Sequence, residues 1–184
     1  KGNYPNRGQF AKISYRPFDE KWTYYTGKSK GFHCYPRTEV MQHFLRGENV
    51  GLVYKLGNAE LSSVSIMVTL NIIDFRSWSR PGMQGGDYIS PLYLYPETKG
   101  QQTIEQTTER QPNLNAEIVK QIAAKLGLSF TSEKETTENT FAPIDILDYI
   151  YAVLHSPTYR EKYKEFLKID FPRVPYPKDK NVFW

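Results

Sequence analysis

Between Pro96 and Pro112 the chain reads ETKGQQTIEQTTERQP, a stretch whose single large apolar residue is Ile104. A segment this polar has too little apolar surface to offset the entropy of ordering it, so residues 97–112 are expected to form an exposed linker or loop. That break constrains the whole fold, because the hydrophobic period differs on its two sides. Before it, short aromatic and β-branched runs alternate with turn residues; after it, apolar residues recur at helical spacing. The predicted class is α+β: a mixed or antiparallel sheet half over residues 1–96, followed by a helical half over 113–184.

Within the first half, Phe10–Tyr15 and Trp22–Thr26 flank the turn formers Pro17-Phe18-Asp19 and predict a hairpin-like pair. Pro36 opens a helix in its first turn, Val40, Met41, Phe44 and Leu45 give it one apolar face, and Gly47 closes it. Gly51–Leu56, Val64–Leu70 and Tyr88–Tyr95 are further strands, and RSWSRPGMQGG (76–86) has turn chemistry. In the second half, Asn115 caps a helix that Gly127 ends, and Ile118, Val119, Ile122, Ala123 and Leu126 share a face. A second helix spans Ile144–His155. Ser156-Pro157 starts another, with Tyr159, Tyr163, Phe166 and Leu167 on one side, and Pro172, Pro175 and Pro177 forbid a regular element after it. The terminal KDKNVFW opens an amphipathic pattern that stops at Trp184, before it is expected to bury anything. With no initiator Met at the other end, the chain reads as a fragment truncated at its C-terminal side.

The formal net charge of +4 and pI near 9.0 permit an acidic partner. The excess lies mainly in residues 1–57, which carry Lys1, Arg7, Lys12, Arg16, Lys21, Lys28, Lys30, Arg37, Arg46 and Lys55 against Asp19, Glu20, Glu39 and Glu48. Any polyanion-binding face is therefore expected in the first half. Cys34 is the lone cysteine, which excludes an internal disulfide and a multi-cysteine zinc site. No run of residues is apolar for long enough to span a bilayer, and the default expectation is a cytoplasmic protein without membrane contact.

Tyr15–Arg37 is the segment in which charge and aromatic surface coincide. After Glu20 it carries no carboxylate up to Thr38, while Lys21, Lys28, Lys30 and Arg37 alternate with Trp22, Tyr24, Tyr25, Phe32 and Tyr35. Cations neutralise phosphates and aromatic faces pack on sugars or bases, so this mixture suits a nucleic acid. A half-buried strand with a solvated lysine rim has the same composition. On the nucleic-acid reading, Lys21, Lys28, Ser29, Lys30 and Arg37 position phosphates. Arg16 and Arg37 each flank a proline, which suits either an aimed guanidinium or a grip on a local carboxylate such as Asp19 or Glu39. Forked donors and amides for base edges are Arg16, Lys55, Asn58, Arg76, Arg80 and Gln84.

Familiar catalytic constellations fail one by one. Gly27-Lys28-Ser29 ends like a phosphate-binding loop, but Trp22 stands where the first glycine is required. Glu97-Thr98-Lys99 has the acid–x–lysine spacing of metal-dependent nucleases, with Asp74 or Asp87 upstream, yet Pro96 and Gly100 place it in a loop. His33 beside Cys34 makes a poor chelate, and His43 and His155 read as surface or structural groups. There is neither an Asp/Asn-Pro-Pro-Tyr motif nor a glycine-rich loop for S-adenosylmethionine. The residues supply no catalytic site and no metal site.

Tyr-Arg-Pro-Phe-Asp (15–19), YYTGKSKG (24–31), PRTEVM (36–41), Gly51-Leu52-Val53, Phe75 to Gly86, PLYLY (91–95), Asn113-Leu114-Asn115 and IDILDYIYAVLHSPTYREKYKEFLKIDFPRVPYP (144–177) occur in this order. The set resembles the C-terminal region of type ISP and related adenine-specific DNA methyltransferases of restriction–modification systems, over nearly the whole chain. The resemblance implies a target recognition domain that reads duplex DNA without chemistry of its own. It also implies a methyltransferase domain in the same polypeptide, with S-adenosylmethionine used there and no cofactor in this chain. One departure stands out: an Arg-Gln pair commonly follows the GLV strand in that family, and here the residues are Lys55-Leu56-Gly57-Asn58. Two other classes remain open, a small metal-dependent nuclease built on Asp74 or Asp87, Glu97 and Lys99, and a protein-interaction module anchored by exposed tyrosines.

Overall fold

The computed structural model describes residues 8–29, 32–55, 65–77, 85–96 and 109–184. The chain divides into two compact units, one of residues 1–55 with 67–91 and one of residues 56–66 with 92–184. Sheets dominate the first unit and helices the second, which is the expected α+β order. Among the described residues, no helix is long and apolar enough to cross a membrane.

The first unit opens with an antiparallel hairpin, β1 (Gln9–Arg16) and β2 (Asp19–Tyr25), paired from Gln9↔Tyr25 to Arg16↔Asp19 with an irregularity between Ser14 and Arg16. Pro17 presets the turn, and Phe18 takes its left-handed position at φ 62°. Helix α1 (Thr38–Leu45) follows, then β3 (Gly51–Lys55), β4 (Ser65–Thr69), β5 (Ile72–Ile73) and β6 (Tyr88–Pro91). These form two three-stranded sheets, ordered β2-β1-β5 and β4-β3-β6; β1 runs parallel to β5, and β3 antiparallel to β6. Strand alternation puts Ala11, Ile13, Val53, Ile72 and Ile89 inside, where Met41 of α1 joins them. Each of these side chains larger than Ala11 contributes roughly 1.5–3 kcal/mol by leaving water. Gly51 is required where it stands, since a Cβ there would lie 2.4 Å from the Phe44 ring. Asn49 closes α1 by donating from Nδ2 to the His43 carbonyl at 2.9 Å.

The run Tyr88–Tyr95, expected as one strand, is two. Strand β6 ends at Pro91, and β7 (Tyr93–Leu94) pairs instead with β8 (Gln111–Pro112) in the second unit. The described end of the expected linker is thus ordered: β8 lies in it, and Arg110 clasps Glu133 through Nε–Oε1 at 2.8 Å and Nη2–Oε2 at 2.6 Å. Arg110 also lies 4.0 Å from the Tyr93 ring centre. Residues 97–108 lie outside the described residues.

Helix α2 (Ala116–Leu126) begins where Asn115 accepts from the Glu117 and Ile118 amides and ends at Gly127, φ 61°. The short parallel pair β9 (Ser129–Phe130) and β10 (Thr140–Phe141) leads to α3 (Pro143–His155), whose Asp145 accepts from the Ala142 amide at 2.8 Å. Ser156 caps α4 (Pro157–Lys162), as Ser-Pro predicts. That helix stops short of its expected face: Leu167 is buried from a separate 3-10 turn, Phe166–Lys168. The proline-rich tail is held by hydroxyls, Tyr149 donating to the Pro175 carbonyl and Tyr159 to that of Arg173. A correction falls at the end of the chain. Asp179 caps α5 (Lys180–Phe183), and Phe183 is buried against Phe141 and Tyr149 in the core of this unit. The terminal pattern does bury something, because its partner aromatics are supplied from far upstream.

Candidate nucleic-acid interface

The outward face of the β1–β2 hairpin carries Phe10 and Tyr24 edge to face, 5.3 Å between centres, and beside them Lys12 over Trp22 at 6.0 Å. Phe10 is 77% and Trp22 70% exposed, so these rings add little to the core. At the other end of the hairpin, Tyr15 is flanked by two cations, Arg16 at 3.9 Å and Lys21 at 4.4 Å from its ring centre.

The described residues between β2 and α1, 26–29 and 32–37, make an arch pinned at three places. The buried Tyr25 hydroxyl donates to the Pro36 carbonyl at 2.6 Å, and Thr38 Oγ1 donates to the Gly27 carbonyl at 2.9 Å. In the middle, His33 Nε2 lies 3.0 Å from Thr23 Oγ1. Gly27 has φ 67°, the left-handed turn that lets the arch leave the strand. The His33 pKa falls below its ordinary value because burial disfavours the imidazolium more than nearby Asp74 favours it. Between the pins Lys28, Ser29, Phe32 and Tyr35 are exposed. This is the mixture of short donors, cations and flat rings that suits a sugar–phosphate backbone.

A second feature lies at the foot of the 76–86 segment. The amide of Asp87 donates to the Phe75 carbonyl at 2.9 Å, and Ser77 Oγ donates to Asp87 Oδ2 at 2.9 Å, which staples the two ends together. The other carboxylate oxygen faces Lys55 Nζ at 3.7 Å, with both side chains almost wholly buried. Gly86 admits the Phe75 ring, which would stand 2.2 Å from a Cβ at that position. Arg37, which precedes α1 with φ 48°, sends Nη1 to the Asp87 carbonyl at 2.6 Å and lies over Phe75 at 5.6 Å. Arch and segment therefore meet at one buried anchor.

The sequence-predicted residues distribute as follows. Lys28 and Ser29 are exposed on the arch; Lys21 is exposed with Asp19 at 3.3 Å. Arg16 grips a carboxylate, but Asp74 at 3.2 Å, in place of the expected Asp19. Arg76 is exposed at the start of the stapled segment. Two expectations are corrected. Lys55 is 4% exposed and committed to Asp87, so it has no face for a base edge. Arg37 turns inward, and burial lowers its pKa against the pull of Asp87 and Asp74, so it is not a phosphate contact of the arch. Lys30, Asn58, Arg80 and Gln84 lie outside the described residues. Sequence reasoning missed Phe75 and Ser77 as anchors and weighed Asp87 only as a metal ligand. The available signal was a carboxylate placed directly between a Gly-Gly turn and an apolar strand.

Among the described residues no three His, Cys, Asp or Glu side chains gather as a metal site. Asp74 and Asp87, the upstream carboxylates of a nuclease reading, each face a basic side chain instead. These features define a class: an α+β module that presents an aromatic, cationic arch, with residues 75–77 and 85–87 stapled together at its end. The model of the Type ISP C-terminal specificity domain family matches residues 4–184, and the chain belongs to that family.

Solved structures share the fold. A complex of DrdV with DNA superposes with TM-score 0.64 at 24% identity over 96% of this chain, and the Type ISP restriction–modification enzyme LlaBIII bound to DNA with TM-score 0.61 at 22% over 100%. A nuclease-deletion mutant of the Type ISP enzyme LlaGI with a DNA substrate mimic gives TM-score 0.53 at 19% over 91%. The matched region spans only 15%, 10% and 12% of those chains. No curated protein sequence matches this chain.

Proposed function

We propose that this chain is the target recognition domain of a modular restriction–modification adenine-N6 DNA methyltransferase, and that it binds duplex DNA and fixes which sequence is presented to a catalytic domain elsewhere in the polypeptide. The observation that carries the reading is the exposed basic–aromatic arch with the stapled segment anchored at its end, in a chain of the specificity-domain family. Lys21, Lys28, Ser29 and Lys30 hold phosphates, which sets register but reads no base. Arg76, Arg80 and Gln84, with Arg16 and Asn58, are the side chains chemically able to fork onto base edges. The chain itself performs no methyl transfer and holds no cofactor. The parent enzyme uses S-adenosylmethionine and extrudes the target adenine from the stack, as reaction at a base atom requires.

Selection of duplexes from a random pool by this chain, at low and at moderate salt, tests the reading. The expected result is weak, salt-dependent binding with a recoverable base preference. Salt-insensitive binding without a preference would overturn it. Calorimetry with S-adenosylmethionine and a plasmid assay with magnesium are expected to show neither uptake nor nicking.

A further inference from the structure

We infer that Lys162, Lys164 and Arg173 form a second phosphate-contact surface, in the helical unit, that holds the backbone of a duplex without reading bases. The inference deepens the duplex-binding reading above and rests on it, but it uses none of the residues of the arch.

The balance of charge is local. Residues 157–180 hold seven lysines and arginines against four carboxylates, whereas residues 109–156 hold four against seven. Three of those four carboxylates are engaged in the fold: Asp179 caps α5, Glu165 takes Lys168 at 2.7 Å, and Asp170 accepts from the Phe171 amide and lies 3.5 Å from Arg173. Arg160 is committed as well, donating from Nε to the Leu154 carbonyl at 2.6 Å. Lys162 and Lys164 are exposed, and among the described residues neither reaches a carboxylate within ion-pair distance.

A chain of contacts joins these cations into one surface. Tyr163, which stands between the two lysines, stacks on the buried Tyr159 ring at 4.8 Å, and the Tyr159 hydroxyl donates to the Arg173 carbonyl at 2.9 Å. The Arg173 guanidinium lies 5.4 Å from the Phe166 ring centre, and the Lys162 ammonium 5.4 Å from that of Tyr163. Arg173 keeps 81% of its side chain exposed, so its one ion pair leaves donors of the fork facing water. The tail that carries it has no regular structure, yet it is fixed. Pro172 and Pro175 restrict its backbone, and the hydroxyl of the buried Tyr149 donates to the Pro175 carbonyl at 3.0 Å. A segment already ordered loses less entropy when it binds.

A solvated helix face would account for the lysines alone. It leaves unexplained why two buried tyrosines hold an exposed, arginine-bearing tail in one place. A protein partner is the poorer fit, because lysine is depleted in protein interfaces. Cations interleaved with partly exposed rings match a sugar–phosphate backbone. A lysine is a point charge that neutralises a phosphate and lacks the fork that discriminates a base, so the surface adds affinity to every sequence alike.

The test is a set of salt titrations of duplex binding by the full chain, followed by fluorescence anisotropy on the preferred site and on its single-base variants. Lys162→Ala with Lys164→Ala is expected to reduce the steepness of log affinity against log salt by about 1.8, and Arg173→Ala by about 0.9, with base preference unchanged. Lys162→Arg with Lys164→Arg is expected to keep the wild-type slope. Lys125→Ala, which removes an exposed charge from α2 of the same unit, is expected to keep it too. All of these side chains are exposed, and circular dichroism of each variant checks that the fold is retained. An unchanged slope in the double alanine variant or in Arg173→Ala would overturn the inference. So would an equal fall in Lys125→Ala, which would mean a diffuse field in place of a surface, or a loss confined to particular base positions. The duplex-binding reading is judged separately. Selective binding whose slope falls only in Lys28→Ala keeps that reading and rejects the second surface, whereas slope losses in the second unit without any base preference do the reverse. Absence of duplex binding by the wild type ends both.

Discussion

Replacing Lys55 by methionine isolates the contribution of the buried anchor. The side chain is close to isosteric, so packing in the β4-β3-β6 sheet is kept and only the charge is lost. Asp87 then remains with no exposed surface and without its ammonium partner, since its side chain is 0% and that of Lys55 5% accessible. At 3.7 Å and an effective dielectric of about 20, the attraction removed is roughly 4 kcal/mol. That agrees with the roughly 3–5 kcal/mol lost when one member of a buried pair is deleted. Asp87 keeps the Ser77 hydroxyl, so the lower end of the range is expected. Hydrogen exchange at the paired β3 and β6 amides, supported by denaturant unfolding, measures the cost in this unit. The double variant Lys55→Met with Asp87→Asn is expected to recover at least half of the loss, because the neutral amide still accepts from Ser77 and no charge is stranded. A cost below about 1 kcal/mol for Lys55→Met, or losses that simply add in the double variant, would refute the account of a mutually dependent buried pair.

Further outcomes follow from the same geometry. Lys28→Ala is expected to weaken binding to all duplexes alike and to lower the slope of log affinity against log salt by about 0.9, measured by fluorescence anisotropy across salt concentrations. His33 favours its neutral form in the folded chain, so its contribution to stability is complete above the ordinary value of 6.5 and is lost as pH falls through and below it. An imidazole titration by NMR is expected to give a midpoint below 6.5, and His33→Gln to remove this part of the acid destabilisation. Phe183→Ala is expected to cost the second unit roughly 3–5 kcal/mol by denaturant unfolding, as for a buried aromatic in a packed cluster.

Features that depend on neighbours in sequence were legible. The Pro17-Phe18-Asp19 turn, the Asn115 cap, the Gly127 stop and the Ser156-Pro157 start all stand where the residues place them, because each is decided within one turn of chain. Features decided by distant partners were not. Lys55 looks like a free cation at a strand end until Asp87, brought alongside by the β3–β6 pairing, buries it. Arg37 resembles the other cations of its segment and differs only because the left-handed backbone turns it inward. Pro91 divides an apolar run that alternation alone reads as continuous, and the terminal Phe183 needs Phe141 and Tyr149 before it has anything to pack on. At the candidate interface, the exposed half was readable from composition, whereas the anchor beneath it required the fold.

On the proposed reading, stability and recognition occupy different residues in the first unit, a separation that would make its specificity adjustable. Phe10, Trp22 and Phe32 are each at least 70% exposed, so truncating them removes little buried area and costs the fold little. The groups that fix the arch and the loop foot are buried: Tyr25 is 5%, Ser77 1% and Asp87 2% exposed. A surface built this way tolerates exchange of its contact residues without refolding, because the geometry that aims them is set one layer below. Alanine at Trp22 or Phe32 is therefore expected to lower DNA affinity while leaving the unfolding midpoint within the range of ordinary surface changes. A large loss of stability at either position would place that ring in the core and remove it from the interface. Unchanged affinity with unchanged stability would confine the interface to the arch lysines and the stapled loop.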